Sequence, residues 1–324
     1  MNNIKKIGLS ALAGSLAMVS AQAGEFAVTG GAEMTYTNTD GVGTTANPLG
    51  MSHNIDLTGT GEVNGYGWTV FTGTTGQTMA ADSSMLTFDL GSAGKIAFDQ
   101  GVGDFGISDL ANNTPTAYEE ADHNTGSLAD GLDVAGDMGV IGYENTFDGV
   151  TLSAEYNPSV GTSNKATAGG NGNANQGTNF NFATTFPMDD LTIGLGASKT
   201  WNTLVAVGDD SELTGSANYS MGNISVGAQM SEISSGTAGA ASNSVVAYAV
   251  AVNINESLSV SLGRSDNTKE NAGGADVDEE NTGFNIAYTM GSAALRASFN
   301  ATDNVGGTAG LDDEAMELSL NLSF

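Results

Sequence analysis

The sequence predicts an all-β fold: a transmembrane antiparallel β-barrel of about sixteen strands. Three observations carry this. Hydrophobicity alternates with a period of two, the connections alternate between short and long, and an export segment opens the chain while an alternating strand closes it. The chain has 324 residues, a length that a closed barrel uses as one domain.

The elements follow in order. Lys5 and Lys6 precede an apolar stretch from Ile7 to Val19, and Ala21-Gln22-Ala23 follows with small residues around one spacer. This is the pattern of a cleaved signal peptide, residues 1–23, and the apolar run is too short to span a bilayer as a helix. The barrel domain is expected over 24–324. In the first mature segment Phe26, Val28, Gly30, Ala32, Met34 and Tyr36 alternate with small or polar residues. The last segment repeats this, with Met316, Leu318, Leu320, Leu322 and Phe324 on one face and Glu317, Ser319, Asn321 and Ser323 on the other. A helix needs apolar residues three and four apart; these lie two apart. Similar segments begin near Val150, Phe180, Leu191, Leu213, Ile224, Val246, Leu258, Phe284 and Leu295.

Short turns rich in Gly, Asn and Asp, such as Asn64-Gly65, Asp148-Gly149 and Gly222-Asn223, supply the positive φ of tight hairpins. Longer Gly/Ser/Thr/Asn/Asp stretches separate them, at 38–50, 76–83, 101–137, 159–176, 202–210, 234–242, 267–280 and 303–312. One end is trimmed and the other elaborated, the asymmetry of an outer-membrane barrel with short periplasmic turns and long extracellular loops. A secreted β-sandwich also alternates; the turn asymmetry, the export segment and the terminal strand favour the barrel.

Composition excludes several functions. There is no Cys, and the two histidines, His53 and His123, lie far apart in sequence. Disulfides, thiolate chemistry and a histidine triad therefore have no inventory, and the chain reads as a non-enzyme. Lys+Arg is 8 against 37 Asp+Glu, for a net charge of −29. Losing Lys5 and Lys6 with the signal takes this to −31, and such a chain is no nucleic-acid partner. Gly169–Asn173 is not followed by a helix or a Lys-Ser/Thr pair, so it is no phosphate cradle. No cofactor is expected. The acidic outer stretches Asp276, Asp278, Glu279, Glu280 and Asp312, Asp313, Glu314 offer Ca²⁺ ligands but lack EF-hand spacing, and solvated acidic loops are the stronger reading.

Phe324 ends the alternating last strand, and Leu86-Thr87-Phe88-Asp89-Leu90-Gly91-Ser92-Ala93-Gly94-Lys95-Ile96-Ala97-Phe98 forms two strands around a glycine turn. On these two segments the chain resembles the general bacterial porins of Gram-negative outer membranes. The resemblance implies a homotrimer in contact with outer-membrane lipids and lipopolysaccharide. It implies passive passage of small hydrophilic solutes, and reading of Phe324 by the barrel-assembly machinery. It also implies that the third long loop, 101–137, folds into the lumen and constricts it. Many relatives have a basic residue after the hairpin's second strand; here Asp99-Gln100 stands there.

Barrel parity sorts the strand side chains. Glu33, Asp56, Glu62, Asp89, Asp99, Glu144, Glu155 and Glu317 are expected to line the lumen, with Arg296 and Lys95 against them. The 91–95 turn is expected to pair Phe88 with Phe98 and Leu90 with Ile96. Arg264 and Lys199 share outward parity near loop ends, where they would meet lipopolysaccharide or the rim. The constricting loop carries Asp104, Asp109, Glu119, Glu120, Asp122, Asp130, Asp133 and Asp137 without Lys or Arg. Crowded carboxylates favour cations in a narrow pore, and their repulsion should raise some of their pKa values. Gly30, Ala32, Gly59 and Gly61 make a small-residue outward row, the expected subunit contact together with the last strand. The expectation is a cation-favouring diffusion channel; its rival is a structural or adhesive surface β-protein, outer-membrane or secreted, without a channel.

Overall fold

In a computed structural model of the protein, the described residues are 24–41, 47–75, 80–103, 105–125, 132, 138–158, 177–202, 208–237, 241–270 and 276–324. The expected signal segment, 1–23, lies outside them. Sixteen strands follow one another: β1 Phe26–Asp40, β2 Leu49–Val63, β3 Tyr66–Thr75, β4 Ala80–Asp89, β5 Lys95–Gln100, β6 Met138–Phe147, β7 Val150–Asn157 and β8 Thr178–Met188. The second half comprises β9 Leu191–Trp201, β10 Asp210–Met221, β11 Ile224–Ser234, β12 Ser242–Asn253, β13 Leu258–Glu270, β14 Val277–Met290, β15 Ala293–Asp303 and β16 Asp313–Ser323. Each strand pairs antiparallel with its chain neighbours, and β1 pairs with β16 to close the barrel. Closure leaves no unpaired edge, so the barrel backbone can satisfy its polar groups inside a bilayer.

The turns form where local chemistry demands. Asn64 and Gly65 both take positive φ, 53° and 84°, as do Asp148 and Gly149, 48° and 84°, the geometry of type I′ hairpins. Phe147 pairs with Val150 across the second of these turns. The 91–95 hairpin differs from expectation. Phe88 pairs with Ile96 and Leu86 with Phe98, because the turn closes on Leu90 and Gly94, whose amide and carbonyl bond at 2.8 Å around the 3-10 segment Gly91–Ala93, and so is centred one residue earlier than expected. The shift is an even number of residues, so the parity of Asp89 and Asp99 is unchanged. Residues 267–280, expected as a loop, are mostly strand: β13 and β14 continue the period-two ladder as far as Lys269 opposite Val277.

Burial is inverted relative to a water-soluble protein. Inward Asn181, Asn281, Thr302 and Ser319 are 0–1% exposed, whereas outward Leu213, Met230 and Leu295 are 57–64% exposed. A sandwich would bury the second set and wet the first. Here the apolar rows face lipid, and the polar rows enclose the interior of a sixteen-strand barrel wide enough for an aqueous channel.

Candidate functional site: the loop-lined lumen

The third long loop leaves β5 and turns into the barrel. Asp99, 1% exposed, starts it by accepting from the backbone amides of Val102, at 2.9 Å, and Gly103, at 2.8 Å. The loop then follows the inner wall, and inward polar side chains satisfy its backbone strand by strand. The Gly106 amide donates to Ser153 Oγ on β7, and the Ile107 amide to Asn181 Oδ1 on β8. Gln229 on β11 accepts from the Asn113 amide and donates to the Leu110 carbonyl. The Ala117 amide donates to Ser261 Oγ on β13; Asn285 on β14 donates to the Glu119 carbonyl; Asn300 on β15 donates to the Glu120 and Ala121 carbonyls.

Glycines on the wall make the seat. A Cβ at Gly194 would come within 2.6 Å of Leu110, one at Gly196 within 2.9 Å of Ile107, and one at Gly283 within 2.8 Å of the Ala121 backbone. Gly142 and Gly227 receive Phe105 and Pro115 in the same way. The loop thus covers the wall from β6 round to β16. Opposite it, the inward side chains of β1 and β2 stay half-exposed. Glu33 on β1 and Asp56 on β2 are among these half-exposed inward groups. Tyr118, Glu119, Glu256 and Arg296, among others, line a recess between the loop and the wall.

The loop's far end is fastened at β16. Glu317 accepts from the Tyr118 hydroxyl at 2.7 Å, and from Asn124 Nδ2 and Thr37 Oγ1 at 3.1 Å each. His123 lies between two carboxylates, with Nδ1 3.5 Å from Glu119 and Nε2 3.5 Å from Glu317. The Arg296 guanidinium sits 5.2 Å from the centroid of the Tyr118 ring. The hydroxyl of Ser319 donates to Glu33, tying β16 to β1. Burial pushes the Glu119 carboxyl up to about 7; Glu120, Glu317 and Glu33 add to this and His123 opposes it. The carboxylate repulsion expected from the sequence contributes here, and desolvation is the larger cause. For His123 burial disfavours the cation, but its contact with Glu317 and the charges of Glu119, Glu317 and Glu120 raise its pKa above the ordinary value. Burial and the adjoining Glu317 raise the Tyr118 phenol.

Several expected lumen groups have other surroundings. Glu155 faces inward but is 2% exposed, sealed under the loop and 3.4 Å from the Asn181 amide. Asp99 likewise serves the loop's start. Asp89 is exposed at the periplasmic hairpin and accepts from the Gly91 amide. Glu144 pairs with Lys95 at 3.3 Å near the same mouth, and Glu62 is exposed beside the 64–65 turn. Asp109 is exposed on the 3-10 turn Gly106–Leu110, while Glu120 and Asp122 are half-buried. Asp104, Asp130, Asp133 and Asp137 lie outside the described residues. Arg264 makes contacts of 2.7 Å with Asp266 and Glu280, and Lys199 lies 3.9 Å from Asp209, so both rim cations have carboxylate partners within the chain. The acidic outer stretch is split by parity: Asp278 receives the Thr268 hydroxyl and Glu280 meets Arg264, whereas Glu279 is buried inside. These residues do not converge on one Ca²⁺ cage.

The residues that sequence reasoning missed are the loop's holders: Ser153, Asn181, Gln229, Ser261, Asn285 and Asn300, with Tyr118 and Asn124 on the loop. The signal was available as inward-parity amides and glycines, whereas only the inward charges had been singled out.

A sixteen-strand barrel with a polar interior, an apolar exterior and a loop laid inside it defines an outer-membrane β-barrel. A family model for Gram-negative porins matches residues 8–255, and the chain belongs to that family. In fold it is similar to OmpT of Vibrio cholerae (12% identity, TM-score 0.67, 95% of this chain and 100% of that one). It is also similar to an anion-selective porin from Comamonas acidovorans (15% identity, TM-score 0.69, 93% and 99%). A porin variant from Rh. blastica aligns at 14% identity with a TM-score of 0.63, over 92% and 100%. No curated protein sequence matches.

Proposed function

We propose that this outer-membrane porin is a trimeric channel through which small hydrophilic solutes diffuse passively, cations preferentially, without catalysis. The observation that carries the reading is the course of the third loop. It lies against one wall, with Glu33 and Asp56 half-exposed on the opposite one, and the mature chain holds 37 acids against six bases. A low-dielectric wall focuses that field in the passage. Two inward bases stand against it: Lys95 is paired with Glu144 at the periplasmic mouth, and Arg296, still charged, lies over the Tyr118 ring.

Reversal potentials of reconstituted channels in a KCl gradient test this. Cations should dominate at low salt, less so toward 1 M, where the Debye length is ~3 Å. Changing Glu33 and Asp56 to amides should move the reversal potential toward zero more than Asp276→Asn with Asp278→Asn at the outer rim. Chloride preference would overturn the selectivity, and absence of conductance from folded protein would leave the structural-protein rival.

The trimer is tested at Gly59. The structure narrows the expected small-residue contact, because Gly30 is covered by the Phe324 ring and Gly61 by the Trp68 ring. A Cβ at Gly59 would meet nothing within 4 Å. Gly59→Leu therefore leaves the protomer intact, and it should turn trimers on an unheated detergent gel into folded monomers. Trimers that persist would move the interface elsewhere.

A further inference from the structure

We propose that Glu119, His123 and Glu317 form a binding site for a divalent transition ion of the zinc type, at the point where the third loop meets β16. One ligand atom from each of the three lies within 4.8 Å of the others. One neutral imidazole and two carboxylates are donors that zinc-type ions take, with water filling the fourth position.

Two further observations point to an ion rather than to a direct clamp. The first is spacing. His123 Nε2 is 3.5 Å from Glu317 Oε1, and Nδ1 is 3.5 Å from Glu119 Oε2. Both are longer than an N–H···O bond. With Zn–N and Zn–O bonds of about 2.0–2.1 Å, two ligand atoms at a tetrahedral angle stand roughly 3.4 Å apart. The Nε2–Glu317 edge already has that length, and a Glu119 carboxylate oxygen lies within 4.8 Å of the other two ligand atoms. The second is that His123 Nε2 is shut off from solvent and faces the Glu317 carboxylate at 3.5 Å, longer than a normal N–H···O bond, a gap that a metal between them would close. Glu317 is already oriented by Tyr118, Asn124 and Thr37, the outer support that metal-binding carboxylates need. The ion would cross-link loop to wall and neutralise two carboxylates beside the passage.

The inference rests on the channel reading only for its electrical consequence. The binding itself is read separately, by calorimetry with Zn²⁺ and by visible absorption with Co²⁺, on folded protein in detergent. One ion per chain is expected, retained in a large excess of Mg²⁺, because an imidazole discriminates for Zn²⁺. His123→Gln should weaken binding by about tenfold or more. His53→Gln should leave it unchanged; His53 is the one other histidine and carries the outward parity of its partner Ala32. Heat-modifiable gel migration checks that His123→Gln folds. In planar bilayers, Zn²⁺ should lower cation selectivity in the parent protein and not in His123→Gln.

Failure to bind Zn²⁺, displacement by Mg²⁺, or equal binding by His123→Gln would each overturn the site while leaving the channel standing. Zn²⁺ binding with the expected variant pattern in a protein that conducts nothing would keep the site and overturn the channel reading. Should His123→Gln not fold, the Mg²⁺ competition on the parent protein decides.

Discussion

Filling the loop's seat should open the channel. Gly196→Leu places a side chain where Ile107 and Leu110 now sit, since even a Cβ there would lie 2.9 Å from Ile107 and 3.1 Å from Leu110. Overpacking of this kind costs about 1–3 kcal/mol, and the loop can relieve it by leaving the wall, whereas the barrel ladder cannot. Gly106→Ala attacks the same contact from the other side. Gly106 takes φ of 64°, and its new methyl would collide with the Asn181 carboxamide oxygen. Single-channel conductance should rise severalfold in either variant, with noisier open levels, while heat-modifiable migration stays that of a folded barrel. Unchanged conductance in both would mean that the loop does not limit the passage.

Removing the last residue should cut the amount of barrel in the membrane severalfold. Phe324 exchanges two backbone hydrogen bonds with Gly30, at 3.1 and 2.9 Å, and its ring lies across the face of that glycine. This is the final pair of the seam that converts an open sheet into a closed barrel. Two variants separate its roles. Phe324→Ala keeps both backbone bonds and loses the ring; deletion loses both. If cellular machinery reads the aromatic, the two should lower outer-membrane protein alike, while refolding from denaturant into detergent is little changed for Phe324→Ala. If the seam bonds dominate, Phe324→Ala should assemble almost normally. Channels that do form should conduct as the parent does, because the residue lies outside the lumen. Normal assembly of the deletion in cells would remove the recognition role.

How much was legible follows from where each interaction lies. The hairpins were legible because a turn such as Asp148-Gly149 and the pair it closes, Phe147 with Val150, lie within four residues. Parity was legible for Glu33, Arg296 and Glu317 for the same reason: a strand's period of two is local. The 91–95 hairpin shows the limit, since parity survives a two-residue slip and so cannot detect one.

The path of the third loop belongs to another scale. Its bonds join residues far apart in sequence: Gly106 to Ser153 across 47 positions, Asn113 to Gln229 across 116, Tyr118 to Glu317 across 199. No periodicity reaches over such distances. Parity therefore grouped Glu155 with Asp56 as lumen groups, although the loop seals the first and leaves the second beside water.

By itself, then, the sequence determined the strand count, the inward and outward rows, the trimmed and elaborated ends, and the excess of acids over bases in the chain. All of these are short-range patterns or sums over residues. Only the tertiary structure decided which inward groups are wet, which glycines seat the loop, and that Glu119 and His123 meet Glu317. Those outcomes depend on how one loop packs against the wall from β6 to β16, and packing is a property of shape in three dimensions that the order of residues along the chain does not display.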